Sequence, residues 1–193
     1  MPLQCTIGKP VSLEGVGLHT GATARVTFKP APDNFGIRVV RVDLPERPEI
    51  PADIDYVVDL DMGTSIGKGN VKIQTMEHVM AALAGTGVDN CVIEVDAPEI
   101  PLMDGSAQPF CEALQEAGIV EQQEQREYIT VTEPVDYVDG DLALGVYPSD
   151  NFRLTVQIDY RHPALGVQYT TMFSPDEFSK EYAPARTFCL LSW

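Results

Sequence analysis

Gln74-Thr75-Met76-Glu77-His78-Val79-Met80-Ala81-Ala82-Leu83-Ala84-Gly85 is where the hydrophobic period of the chain changes. Upstream, apolar and polar residues alternate, the pattern of strands half-buried in a sheet. Here Met76, Val79, Met80 and Leu83 recur at i, i+3, i+4 and i+7, which places them on one face of a helix. Thr75 stands where an N-cap is expected, and Gly85 with Gly87 where the helix should stop. An apolar helix stripe set among alternating strands predicts an α+β fold in which helices cover one face of a sheet.

Towards the N-terminus, residues 9–18 mix apolar and polar side chains around Gly15 and Gly17. Residues 22–28 alternate and then break at Pro30 and Pro32, and 36–42 are rich in β-branched residues. All three read as strands, and 52–74 as a strand, a glycine-rich turn and a strand. Towards the C-terminus, 90–95 predict a buried strand. A second helix follows, capped by Ser106, with Pro109 in its first turn, Phe110, Ala113, Leu114 and Ala117 on its apolar face, and Gly118 at its end. Residues 121–127 are polar and unpatterned, and a domain boundary is expected there. Strands resume at 128–135, 142–147, 152–160 and near 168–173. The clearest is 152–160, where Phe152, Leu154, Val156, Ile158 and Tyr160 alternate with polar residues. Ser174-Pro175-Asp176-Glu177 then reads as a capping box. The expectation is two-layer sheet/helix sandwich domains in tandem, 1–120 and 127–193. The second should be incomplete, because one short helix follows its strands where the first has two. Such asymmetry is expected of part of a longer protein.

The 193 residues allow one or two domains, and an apolar fraction of 44% suffices for packed cores. No apolar run reaches the ~18 residues of a membrane span. Met1-Pro2-Leu3-Gln4-Cys5-Thr6 lacks the basic start and apolar block of a secretory signal, so the cytoplasm is the expected compartment. Cys5, Cys91, Cys111 and Cys189 are widely spaced and form no C-x-x-C pair, which argues for reduced thiols over a zinc knuckle. The net charge of −16 is uneven: residues 1–75 carry eight basic and nine acidic side chains, residues 76–193 five and twenty. Nucleic acid needs a basic face to neutralise phosphates, and none is offered. The acidity suits solubility, or a chain whose basic part lies elsewhere.

Glu77 and His78 stand at a helix entrance, where a carboxylate can be a general base and an imidazole a metal ligand. The helix dipole alone also favours an acidic residue there, so spacing leaves both readings open. Gly15-Val16-Gly17-Leu18-His19-Thr20-Gly21 is a glycine-rich loop holding a histidine. Without a phosphate-loop lysine or a strand–loop–helix context, a β-turn is the better reading than a nucleotide loop. Asp96-Ala97-Pro98-Glu99-Ile100-Pro101-Leu102-Met103-Asp104-Gly105-Ser106 holds three carboxylates and two prolines before a helix. A rigid connector is expected there rather than a carboxylate metal site. Asp159-Tyr160-Arg161-His162-Pro163 closes a strand, where such a cluster binds a ligand or simply turns the chain.

Residues 15–21, 74–87, 93–110, 159–164 and Ala185-Arg186-Thr187-Phe188 together, in this order, resemble the UDP-3-O-acyl-N-acetylglucosamine deacetylase family, zinc enzymes of lipid A biosynthesis. The resemblance implies two α+β domains of related topology with the active site between them. It implies zinc-dependent hydrolysis of the N-acetyl group of a UDP-sugar lipid precursor, UDP-3-O-(3-hydroxyacyl)-N-acetylglucosamine, giving acetate and the free amine. By the resemblance, His78 is a zinc ligand and Glu77 the base that acts on the zinc-bound water. Thr187 steadies the oxyanion, with Phe188 its apolar neighbour. Asp159 and Tyr160 face the uridine, Met62, Gly63 and Thr64 line the mouth of the acyl passage, and His19 lies near the site. Some family features find no match. Two further zinc ligands belong to a His-Lys-x-x-Asp motif, whereas none of His19, His78 and His162 precedes a lysine. Leu142 stands where the family has a lysine, and Cys189-Leu190-Leu191-Ser192-Trp193 leaves the family pattern. The chain thus reads as the N-terminal two-thirds of such an enzyme, expected to be inactive by itself. The alternative is a catalytically inactive truncated paralogue that binds a UDP-sugar or a partner.

Overall fold

The computed structural model describes residues 2–189; the closing Leu190-Leu191-Ser192-Trp193, part of the ending that leaves the family pattern, lies outside them. The chain divides into two compact units. One holds the residues up to Arg126 together with those from Asp176 on, and the other is Glu127–Pro175. In chain order the first unit contains β1 (Leu3–Ile7), β2 (Val11–Val16), β3 (Thr23–Pro30), β4 (Ile37–Arg41), β5 (Glu49–Pro51), β6 (Val57–Asp59), β7 (Ser65–Lys68), β8 (Val71–Ile73), α1 (Glu77–Thr86), β9 (Cys91–Val95), α2 (Gln108–Ala117) and β10 (Ile119–Gln125).

Its main sheet has the order β2-β3-β9-β4-β5, antiparallel except for the β4–β9 pair. Alternation decides which face is buried. Ala24, Val26 and Phe28 of β3 and Cys91, Ile93 and Val95 of β9 point inward. They share one core with Val79 and Leu83 of α1 and Phe110 and Leu114 of α2, so both helices cover the sheet as the helical periods predict. Phe28 meets Phe110 edge-on, with ring centroids 6.4 Å apart at 75°. On the other face Glu94 pairs with Lys29 at 2.7 Å and with Arg47. Cys91 and Cys111 are buried free thiols in this core, as expected.

The polar stretch expected to be a boundary is a strand. β10 pairs antiparallel with β1, Ile7 opposite Ile119 and Leu3 opposite Gln125. Six of its seven side chains are exposed, so it carries no alternation from which a strand could be read. The first unit therefore runs on to Arg126, whose N–H donates to the Pro2 carbonyl at 3.0 Å. The Asn90 amide ties both strands to β9, donating to Gln4 Oε1 and Gln122 Oε1 at 2.8 Å each.

Both helix ends differ from expectation in detail. Thr75 does not cap α1: Met76 holds the cap position without a side-chain bond, and the Thr75 hydroxyl is engaged elsewhere. Gly85 lies inside α1, which Gly87 ends at φ 74°. A Cβ on Gly85 would come 2.1 Å from the Phe178 ring, so glycine there makes room for the returning chain. That return opens at Ser174–Glu177 as a 3-10 turn (Pro175–Glu177), not an α-helix. A π-helical turn, Phe178–Tyr182, follows, and Ala183 donates back to the Phe178 carbonyl at 2.8 Å. In α2 the cap position falls on Ala107, one residue past the expected Ser106, whose hydroxyl still accepts from the Gln108 N–H at 3.2 Å; Gly118 closes the helix as predicted.

The second unit consists of two antiparallel hairpins, β11 (Val135–Asp139) with β12 (Leu142–Val146) and β13 (Leu154–Asp159) with β14 (Val167–Met172). Residues 128–134 form no strand. Leu154, Val156 and Ile158 alternate along β13 and are exposed. Among the described residues no helix is long and apolar enough to cross a membrane.

Phe110 joins α2 to the sheet, so Phe110→Ala should destabilise the first unit by about 3–5 kcal/mol, as truncation of a buried aromatic does. Equilibrium denaturation of the two chains measures it. A difference under about 1 kcal/mol would mean that the Phe28–Phe110 contact does not seal the core.

Candidate functional site

A cleft of about 210 Å³ in the first unit is lined by His19, Asp59, Asp61, Met62, Gly63, Ser65, Gln74 and Thr75. It lies beside the entrance of α1 and gathers three chain segments, around His19, across 59–65 and at 74–75. Two hydrogen bonds fasten the segment before β7 to the first turn of α1. The Met76 N–H donates to the Thr64 carbonyl at 3.0 Å, and the Thr64 N–H donates to Glu77 Oε2 at 2.9 Å. A Cβ on Gly63 would stand 3.1 Å from Glu77 Oε1, so the carboxylate lies against bare backbone. Met62 holds φ 55° and is exposed at the rim. Glu77 and His78 are both half-buried. The structure therefore brings Met62, Gly63, Thr64 and Glu77 together, with His78 next in the helix and His19 on the same cleft.

His19 reaches the cleft because its loop is fastened to Glu99. Glu99 has no solvent exposure. Its carboxylate accepts the His19 N–H (3.0 and 3.1 Å to its two oxygens), the Thr20 N–H at 2.8 Å, the Thr20 hydroxyl at 2.7 Å and the Thr75 hydroxyl at 2.9 Å. Burial pushes its pKa up, but the bonds from His19, Thr20 and Thr75 outweigh burial and hold it below the usual carboxylate range. Gly17 is required by this packing, since a Cβ there would stand 2.4 Å from Glu99 Oε2. Thr75 holds φ 62°, an unusual backbone state for a β-branched residue, of order 1–3 kcal/mol of strain.

The other two carboxylates of the 96–106 connector also hold the chain in place. Asp96 accepts the Arg25 N–H at 2.7 Å, and Asp104 accepts the Ser106 hydroxyl at 2.7 Å and pairs with Arg186 at 3.1 Å. The Ser106 hydroxyl, then Arg186, hold Asp104 below its ordinary value. This connector also receives the Thr187 segment: the Thr187 N–H donates to the Gly105 carbonyl at 2.8 Å, leaving Thr187 and Phe188 exposed. In the cleft wall, hydrogen bonding from Lys72 at 2.5 Å holds Asp59 low.

Asp159 and Tyr160 belong to the second unit, at the end of β13. Asp159 accepts the Arg161 N–H at 2.9 Å, and the Tyr160 N–H donates to the Gly166 carbonyl at 3.3 Å, which makes this the closing turn of the β13–β14 hairpin. A catalytic zinc commonly takes three protein ligands. Among the described residues no group of three or more His, Cys, Asp or Glu side chains could hold a metal ion. These residues do not fit a complete zinc site. The residues that sequence reasoning missed are Glu99, read as part of a connector, and Thr75, read as a cap. An acid between Pro98 and Ile100-Pro101, in an otherwise apolar run, was the available signal.

The sequence model of the family described as LpxC: UDP-3-O-acyl N-acetylglycosamine deacetylase matches residues 4–193. A bifunctional enzyme LpxC/FabZ from Chlorobaculum tepidum is 50% identical over 192 residues, covering 98% of this chain and 41% of that protein. A UDP-3-O-acyl-N-acetylglucosamine deacetylase from Myxococcus xanthus is 44% identical over 97% of this chain and 60% of its own length. One from Shewanella halifaxensis is 47% identical over 97% of this chain and 63% of its own length. The chain thus spans less than two-thirds of the length of these relatives.

Because the folded pKa of Glu99 lies below the unfolded value of ~4.3, its stabilisation is complete above that pH and is lost as pH falls through the folded value. Glu99→Gln should be less stable at pH 7 by about 1–3 kcal/mol, since an amide cannot accept from all four donors. Denaturation measured from pH 7 down to 3 should show this gap narrowing below pH ~4. A gap that stays constant would contradict a buried, charged Glu99.

Proposed function

This chain belongs to the UDP-3-O-acyl N-acetylglycosamine deacetylase family, and on that premise we propose that it is part of an enzyme that removes the N-acetyl group from UDP-3-O-(3-hydroxyacyl)-N-acetylglucosamine in lipid A biosynthesis. The observation that carries the reading is the Glu77 carboxylate. It is set by the Thr64 N–H at the helix entrance, beside His78, and lies against the bare backbone of Gly63 in a cleft wall.

In the proposed reaction a water attacks the acetamide carbonyl while Glu77 takes its proton. The C–N bond then breaks, and the proton passes to the leaving nitrogen, so that acetate and a free amine result. Glu77 is suited to this because the Thr64 N–H fixes Oε2, while Oε1 lies against Gly63, where no side chain covers it. The Thr187 hydroxyl is proposed to donate to the oxyanion, with Phe188 as its apolar neighbour. Both are exposed, on a segment held by the Thr187 N–H and by Arg186. Met62, Gly63 and Thr64 are proposed to line the entry of the acyl chain, which fits the exposed Met62 at the cleft rim. Asp159 and Tyr160 are proposed to meet the uridine, Asp159 by hydrogen bonding and Tyr160 by its ring face. His19 is proposed to approach the polar end of the substrate across the cleft.

Zinc is proposed as the cofactor of the complete protein, with His78 as one ligand. Among the described residues no group of three possible ligands surrounds it, so the remaining ligands are proposed to come from the rest of that protein. The acidic surface of residues 76–193 supports a small-molecule substrate over nucleic acid, and a cytoplasmic site of action belongs to the same proposal. The competing reading, an inactive paralogue that only binds a UDP-sugar, draws on the incomplete metal set.

In the complete protein, Glu77→Gln should lower the rate of acetate release by ~10²–10⁴-fold, the usual worth of a general base, with UDP-substrate binding retained. Single-turnover assay beside calorimetry separates the two effects. Near-normal turnover would remove Glu77 from the mechanism, and a wild-type protein that binds the UDP-sugar without releasing acetate would favour the inactive paralogue.

A further inference from the structure

Among the described residues Glu99 is the one acidic side chain that is buried, and it touches two separate walls of the cleft. We infer that Glu99 is a positioning residue: its carboxylate fixes where Glu77 and His78 stand relative to His19. The inference rests on the reading of Glu77 and His78 as working residues, but its first test needs no turnover.

The link to His19 is direct, through the His19 and Thr20 N–H groups and the Thr20 hydroxyl. Gly17 lets this loop come that close, since any Cβ would meet the carboxylate. The link to Glu77 runs through Thr75. Its hydroxyl donates to Glu99 Oε1 at 2.9 Å, and its φ of 62° sets the direction in which the chain enters α1. The next residue, Met76, donates to the Thr64 carbonyl, and Thr64 in turn donates to Glu77. If Thr75 relaxes to an ordinary φ, the first turn of α1 swings and the Glu77 carboxylate moves with it. Glu99 is itself a fixed reference, because its strand edge is tied on both sides of Gln74. Gln74 donates to the Pro98 carbonyl at 3.0 Å and accepts from Ile100 at 3.1 Å. Glu99 has no surface through which it could meet a substrate, so it acts through the residues it holds. Displacing a catalytic group by about 1 Å can cost ~10²-fold in rate, which is how such a contact would be felt.

The test uses heteronuclear NMR of this chain and three variants. The reporters are the Thr64 amide, which bonds to Glu77, the His78 ring, and the His19 and Thr20 amides. Glu99→Gln should shift all of them. Thr75→Val keeps the shape and removes only the hydroxyl. It should shift the Thr64 amide and the His78 ring while leaving His19 and Thr20 in place. Thr75→Ser keeps the hydroxyl and should shift none of them appreciably. Should Glu99→Gln fail to fold, Thr75→Val decides by itself. A folded Thr75→Val with unmoved Thr64 and His78 resonances would overturn the inference. In the complete protein, once wild-type acetate release is established, Thr75→Val should lower kcat about 10–100-fold with KM within about threefold. An unchanged kcat per folded molecule would reduce Glu99 to a stabilising contact. A wild-type protein without acetate release would count against the deacetylase reading alone, and the NMR shifts would still decide whether Glu99 positions the helix entrance.

Discussion

A carboxylate shut away from water stays charged only if the protein supplies the hydrogen bonds that water would have given. Glu99 is in that position, and four donors from two distant segments answer it. Each donor is constrained in return. The loop around His19 must offer bare backbone, which is why Gly17 has no room for a side chain. Thr75 must turn its hydroxyl inward, and it does so in a left-handed backbone state that a β-branched residue rarely takes. The hydrogen bond to Glu99 helps offset the strain at Thr75, and the Thr75 hydroxyl is one of the four donors that keep Glu99 charged. The cleft wall and the start of α1 are thereby fixed by one buried group.

From that fixed point the arrangement around Glu77 follows locally. α1 has no side-chain cap, and Thr64 meets its entrance instead, its carbonyl accepting the Met76 N–H and its own N–H donating to the Glu77 carboxylate. The bonding that completes the helix entrance is also the bonding that orients a carboxylate beside His78. At Gly63, which lines the cleft, the absence of a side chain lets that carboxylate lie against bare backbone. Helix packing holds the frame: Phe110 and Leu114 of α2 and Leu83 of α1 seat both helices on β3 and β9. On the opposite end of α1, Gly85 admits Phe178, which brings the Thr187 segment back to the Gly105 connector.

Much of this frame was legible from periodicity, because its elements face one apolar side. Residues 76–83 gave a helical stripe, and Phe28, Ile93 and Val95 alternated as inward strand residues, so the α+β architecture followed. The elements that escaped are those without a two-sided contrast. β10 is exposed on nearly every residue and pairs only with β1, so a boundary and a strand look alike there. The candidate site divides in the same way. Glu77 and His78 stood out at the helix entrance and His19 in its glycine loop, while Met62, Gly63 and Thr64 came only through family likeness; the fold sets Met62, Gly63, Thr64 and Glu77 together, with His19 on the adjoining cleft. Glu99 and Thr75 were misjudged because their roles depend on contacts between segments far apart in the chain. A local pattern can show a threonine before a helix, but not that its hydroxyl is taken by an acid from another strand edge. Asp159 and Tyr160 lie at a hairpin turn, where sequence shows a strand end and nothing of what meets it.

The exposed loop around His19 is anchored by a buried charge. Leu18, His19 and Thr20 are exposed as residues, and a loop of that kind ordinarily exchanges its amide protons quickly. Residue-resolved hydrogen exchange of the His19 and Thr20 amides at pH 7 tests the claim most directly. Protection approaching that of the Phe28 and Ile93 amides of the central strands is expected, because both amides donate to a carboxylate that is shut away from water. Exchange at the rate of an unstructured peptide would contradict it, and would show that the Glu99 carboxylate does not hold the cleft together.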